Sequence, residues 1–149
     1  YKKEFDKYNF DFLLNKNFML TKNQAANYKL NIGASYSDDR LLSRNKFDIG
    51  SEYTVRGFKE SSVSGDKGIY INNTLTLLNK NFSPFIGLDF GISKDKDLDF
   101  VDKIAGIAAG VKYNKNNLNM SLTFSRPLKR SKGMPKESNP IYYNISYSF

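Results

Sequence analysis

Polar and apolar residues alternate along most of this chain. Asn117-Leu118-Asn119-Met120-Ser121-Leu122-Thr123-Phe124-Ser125 does so without a fault, as a β-strand with one apolar and one polar face requires. Tyr28–Tyr36 and Tyr143–Phe149 repeat the pattern. Weaker alternation covers Tyr8–Phe18, Ile69–Asn79, Phe85–Ile92 and Ile104–Tyr113. The periodicity predicts seven strands and no helix, an all-β chain of antiparallel strands. One face of these strands is small or polar: Lys29, Asn31, Gly33 and Ser35 in one, Gly106, Ala108, Gly110 and Lys112 in another.

Alternation alone fits both a soluble sandwich and a membrane barrel. The connections separate them. Lys80–Pro84 is short, Ser93–Lys103 long and charged, Asn114–Asn116 short, and Arg126–Pro140 long again. Tight turns at one end and long loops at the other mark an outer-membrane barrel, so the expected fold is an antiparallel transmembrane β-barrel. Seven strands are odd in number and fewer than the roughly eight that close the smallest bacterial examples. An open edge in lipid leaves backbone groups unpaired, each costing several kcal/mol. The sequence therefore reads as part of a larger barrel.

Composition narrows the function classes. The 149 residues contain no cysteine and no histidine, which removes disulfides, Cys/His zinc sites and Ser-His-Asp or Cys-His nucleophiles. Mean hydropathy is negative, and no run approaches the roughly 18 apolar residues of a membrane helix; neither bears on a barrel, whose strands are hydrophilic on average. Tyr1-Lys2-Lys3-Glu4-Phe5 carries no signal peptide, so an export signal is expected outside this sequence. The net charge of +8 comes from scattered lysines without the concentrated basic run that grips nucleic acid. A solvated, lysine-rich surface and lumen is the expectation, with no nucleic-acid partner.

The second and third predicted strands are joined by a connection from about residue 38 to 68, long enough to be functional or disordered. It contains Gly50, Gly57, Gly65 and Gly68 and a Val55-Arg56-Gly57-Phe58 tip. In Phe85–Ile92 the apolar face is Ile86, Leu88, Phe90 and Ile92. Parity then turns Asp89, between Gly87 and Gly91, toward the lumen. On these residues alone, Arg56 decorates an exposed loop and Asp89 is an ordinary lumen carboxylate.

Four features in order change that picture: Tyr53-Thr54-Val55-Arg56-Gly57-Phe58; Ser64-Gly65-Asp66-Lys67-Gly68-Ile69-Tyr70; Phe85-Ile86-Gly87-Leu88-Asp89-Phe90-Gly91; and a terminal Phe149. Together they resemble the C-terminal half of a two-partner secretion transporter of the haemolysin-activator (ShlB/FhaC/HecB) type, within the BamA-like outer-membrane superfamily. The resemblance implies a barrel of about sixteen strands, these being the final seven, preceded by two periplasmic POTRA domains absent from this sequence. It implies that the long loop starts outside the cell and folds back into the lumen. There Val55, Arg56, Gly57 and Phe58 form its motif, and Arg56 pairs with Asp89 of the wall. The planar guanidinium suits bidentate grip of a carboxylate, and flanking glycines leave it room. Two segments depart from the family pattern. Phe47-Asp48-Ile49-Gly50-Ser51-Glu52 has one glycine where two are common, and Ile69-Tyr70-Ile71-Asn72-Asn73-Thr74-Leu75 replaces an Arg-Asn-Glu-Leu-like run. The second leaves that strand's lumen contacts open.

Ser125-Arg126-Pro127-Leu128 resembles the exit of the penultimate strand, with proline where no ladder donor is needed. Tyr147-Ser148-Phe149 resembles the outer-membrane assembly signal, compatible with an interfacial aromatic anchor. The implied activity is secretion and activation of a large exoprotein such as a haemolysin or adhesin. The implied partners are that exoprotein, outer-membrane lipid and lipopolysaccharide, and the assembly machinery. An assembly factor or the barrel tail of a surface-displayed phospholipase are alternatives in the same superfamily; a soluble or lipid-binding β-protein is one outside it. Asp95-Lys96-Asp97-Leu98-Asp99 opens like a calcium loop, but Phe100 and Gly106 stand where glycine and glutamate belong. Gly65-Asp66-Lys67-Gly68 lacks the spacing of a phosphate loop. No catalytic group, cofactor or metal site is expected.

Overall fold

The computed structural model describes residues 4–149. Seven long strands form one antiparallel sheet: β1 (Tyr8–Thr21), β2 (Gln24–Tyr36), β5 (Lys67–Leu78), β6 (Phe82–Lys94), β7 (Asp102–Lys115), β8 (Leu118–Lys129) and β9 (Ile141–Tyr147). They lie in the order β1-β2-β5-β6-β7-β8-β9, each beside its sequence neighbour except where a loop intervenes after β2. β1 and β9 are the edges and do not pair with each other. Inside that loop lie a single 3-10 turn (Ser43–Asn45) and two short strands, β3 (Phe47–Ile49) and β4 (Val63–Gly65), which pair with one another. These three-residue strands carry no periodicity of their own and were not foreseen.

The wall strands run past their predicted ends. β6 starts at Phe82 and takes in Pro84, expected in the turn; its ladder to β5 ends at Thr76–Phe85, so Pro84 has one strand partner, Val111 of β7. At the other end β6 and β7 pair as far as Ser93–Asp102, because polar residues continue a ladder that hydrophobicity no longer marks. β8 likewise contains Pro127, opposite Gly106 at a register shift, beyond the last rung to β9 at Phe124–Ile141. A proline there costs no ladder bond to β9. β9 stops at Tyr147, short of the predicted Phe149.

The two faces differ as a barrel wall's do. Ile86, Leu88, Phe90 and Ile92 of β6, Met120, Leu122 and Phe124 of β8, and Ile141, Tyr143 and Ile145 of β9 all point outward and are exposed. A continuous exposed apolar face of this extent belongs against lipid or a partner. At the tight-turn end it finishes in aromatic pairs, Phe82–Tyr113 with centroids 4.8 Å apart and Tyr147–Phe149 at 5.2 Å, placed as an interfacial girdle is. The opposite face carries Asn72, Thr74, Asp89, Thr123 and Ser125, all buried.

What buries them is the long loop, which lies on the inner face. Ile49, Val55, Phe58 and Val63 from the loop pack on Ile104 of β7, with Phe47, Tyr70 and Met134 partly buried around them. The apolar core thus sits between the loop and the wall.

Candidate functional site: an arginine clasp on the inner wall

The loop reaches the wall at Arg56. Its main chain turns sharply after the arginine, with Gly57 at φ +115°, a region L side chains rarely adopt. A Cβ at Gly57 would also lie 2.6 Å from the Arg126 backbone of β8. Beneath Arg56, β6 and β7 lack side chains where it passes. A Cβ at Gly87 would stand 2.0 Å from Arg56 Nη2, and one at Gly106 only 1.6 Å from the Arg56 carbonyl oxygen. The wall is bare where the tip lands.

Asp89 stands in that clearing, fully buried, and Arg56 is 5% exposed. Arg56 donates through Nε to Oδ2 at 2.7 Å and through Nη2 to Oδ1 at 2.8 Å, the fork-to-fork geometry that lysine cannot copy. The Arg56 backbone N–H donates to Oδ2 as well, at 3.0 Å. β5 completes the clasp. Asn72 Nδ2 reaches both Asp89 Oδ2, at 3.3 Å, and the Thr54 carbonyl, at 3.0 Å. The Asn73 N–H donates to Asp89 Oδ1 at 3.2 Å, and the Asn73 carbonyl accepts from Arg56 Nη2 at 2.7 Å. A buried ion pair holds a unique geometry only when its remaining hydrogen-bonding groups are met, and here both carboxylate oxygens and the Arg56 Nε and Nη2 have partners.

Of the residues singled out in the sequence, Val55 and Phe58 enter the loop core, Gly57 makes the turn, and Arg56 meets Asp89. Phe149 is apart from them, exposed beside Tyr147. Sequence reasoning missed Asn72, which takes up the lumen contacts left open by the departures in β5. It also missed three ties from the last hairpin. Glu137 accepts backbone N–H bonds from Lys59, Glu60 and Ser61 at 2.8, 3.1 and 3.3 Å; Tyr142 Oη donates to the Phe58 carbonyl at 2.9 Å; and Asn144 Nδ2 donates to Glu52 at 2.6 Å. Partial burial pushes the Glu137 carboxyl up, but the three amides outweigh it and hold its pKa below the ordinary glutamate value. None of these partners is nearer than 75 residues in sequence, so no local pattern could announce them. At the long-loop end, buried Asp66 accepts from the Leu41 and Lys96 amides at 2.7 and 2.9 Å, and Lys46 pairs with Asp95 at 2.5 Å.

One arginine thus clamps the loop tip to the polar inner wall. Residues 1–113 match the model of the haemolysin secretion/activation protein family ShlB/FhaC/HecB. The chain belongs to this family. It is 30% identical over 126 residues to the outer membrane transporter CdiB of Escherichia coli O6:K15:H31 (strain 536 / UPEC), covering 78% of this chain and 21% of that protein. It is also 30% identical over 132 residues to the hemolysin transporter protein ShlB of Serratia marcescens, covering 83% and 24%. The fold matches CdiB from Acinetobacter baumannii with a TM-score of 0.88 at 23% identity, over 99% of this chain and 28% of that one. CdiB of Escherichia coli is by name an outer membrane transporter, and the chain spans between a fifth and a quarter of the length of these curated relatives.

Proposed function

We propose that the protein is an outer-membrane translocator that secretes, and activates, a large partner exoprotein, and that this chain supplies part of its barrel wall with the lumen loop attached. The observation that carries the reading is the family match across residues 1–113, which takes in both members of the Arg56–Asp89 pair. The open edges at β1 and β9 require further strands to seal the wall in lipid. In this reading the protein is a conduit without an enzymatic step. The exoprotein crosses the lumen unfolded, its folding outside supplies the drive, and the clasp holds the loop in its resting place. The outward apolar face meets lipid and lipopolysaccharide, and the exposed Phe149 serves the assembly machinery.

The test is charge exchange in the full transporter. Arg56→Asp and Asp89→Arg each place two like charges in the clearing and are expected to reduce export of the exoprotein. The double exchange restores part of it. Export undiminished in both single variants would remove the clasp from the mechanism.

A further inference from the structure

The clasp takes hydrogen bonds from the wall itself. Asn73 pairs with Leu88 across the β5–β6 ladder, yet its N–H also serves Asp89 and its carbonyl also serves Arg56. A rung whose backbone groups are shared with an ion pair is weakened as a rung. The position behind it is unusual too. Asn73 is on the outward face, between Ile71 and Leu75 of its own strand and opposite Leu30 and Leu88 of its neighbours. Every one of those is apolar. A carboxamide on a lipid-facing surface is costly unless its donors and acceptors are met.

They are met in one way. Asn73 Nδ2 donates to the Leu88 carbonyl at 2.9 Å, the oxygen of the very rung the clasp draws on. Its Oδ1 accepts from the hydroxyl of Tyr28, reaching across from β2 at 2.5 Å. Tyr28 is itself an outward residue whose ring can lie among aliphatic neighbours while its hydroxyl finds a partner.

We propose that Asn73 is a positioning residue for the Arg56–Asp89 clasp. Its side chain closes the β5–β6 rung from the lipid side, with Tyr28 fixing its orientation, so that its backbone is free to hold the guanidinium and the carboxylate on the lumen side. The clasp is then three layers deep: the loop arginine, the rung, and a polar patch on the outer surface. The inference rests on the reading of this sheet as a membrane wall, since only lipid makes the outward carboxamide need partners.

The experiment is a double-mutant cycle in the full transporter, with hydrogen exchange of the peptide spanning residues 53–58 as readout, because the Arg56 N–H is bonded to Asp89. Asn73→Leu, which suits a lipid-facing site, is expected to speed that exchange roughly five- to tenfold, the loss of about one hydrogen bond's worth of order. In an Asp89→Ala background, where the Arg56 N–H has lost the acceptor that Asn73 positions, the same change is expected to add nothing. Tyr28→Phe removes one hydroxyl and is the milder change should Asn73→Leu fail to fold; it is expected to speed exchange about two- to threefold, again only with Asp89 present. Equal acceleration with and without Asp89 would make Asn73 a general wall residue and overturn the proposal, as would no acceleration at all with the clasp intact. Failure of the membrane reading shows separately, as wild-type protein that does not enter lipid nanodiscs.

Discussion

At the residue scale, the two halves of the clasp are unequal. Asp89 receives donors from the Arg56 backbone, the Arg56 guanidinium, Asn72 and Asn73. Truncating Arg56 leaves it three of those. Truncating Asp89 leaves the guanidinium, buried against the wall, with only the Asn73 carbonyl. Stranding one member of a buried pair costs about 3–5 kcal/mol. Asp89→Ala is therefore expected near the top of that range and Arg56→Ala well below it, read from thermal unfolding of the barrel by electrophoretic mobility. An Arg56→Ala variant at least as unstable as Asp89→Ala would contradict this count of donors. Asp89 could be assigned to the lumen from the alternation of β6, since parity needs nothing beyond the strand itself. Its partner could not, because a glycine-rich loop has no period, and only the resemblance carried by Val55-Arg56-Gly57-Phe58 joined the two. Asn73 shows the reverse case. A lone polar residue among Ile69, Ile71 and Leu75 on the outward side of β5 is visible in the sequence, but what it touches is decided by the neighbouring strands β2 and β6.

At the scale of elements, the wall strands were legible because each has a wet face and a greasy one. The loop strands were not. β3 and β4 are three residues each and are held by packing on Ile104 rather than by their own pattern. The loop's second anchorage, from the β8–β9 hairpin, was equally silent in the sequence, and it has a pH signature. The Glu137 carboxyl lies below its ordinary value of 4.5 because three amides bond its charged form. A group whose pKa is lowered on folding contributes its stability above the unfolded value and loses it as pH falls through the folded one. The tie to Lys59–Ser61 is thus intact at neutral pH and released as acidification passes through the folded-state pKa, which lies below 4.5. Protease cleavage between Phe58 and Val63 is expected to rise over that range in the wild type. In Glu137→Gln, which cannot hold three amides as a charged carboxylate does, cleavage is expected to be raised at neutral pH and nearly flat with acid. A wild-type profile as flat as the variant's would show that Glu137 does not hold the loop.

On the scale of the whole molecule, the arrangement inverts a soluble β-protein. The core lies between a loop and the inner wall, the outer face is apolar and exposed, and the polar face is covered. This inversion gives two substitutions opposite meanings in water and in lipid. Leu88 is 41% exposed on the outer face, so in a soluble sheet Leu88→Lys is a surface change worth within about 0.5 kcal/mol. In a bilayer, the same lysine at mid-depth costs about 2–4 kcal/mol. Thr123, buried on the inner face, is the converse. A soluble core would reject Thr123→Lys as an unpaired buried charge, whereas a lumen gives the long side chain a path to water. With both variants refolded into lipid vesicles and titrated with urea, Leu88→Lys is expected to lose roughly 2–4 kcal/mol and Thr123→Lys to lose less than half as much. The opposite ranking would place water where lipid belongs and undo the barrel reading at its base, whatever became of the clasp. The same ranking explains why the chain's average hydrophilicity says nothing against a membrane. The apolar residues needed to face lipid are a single face of seven strands, and the other face stays polar where the long loop lies against it.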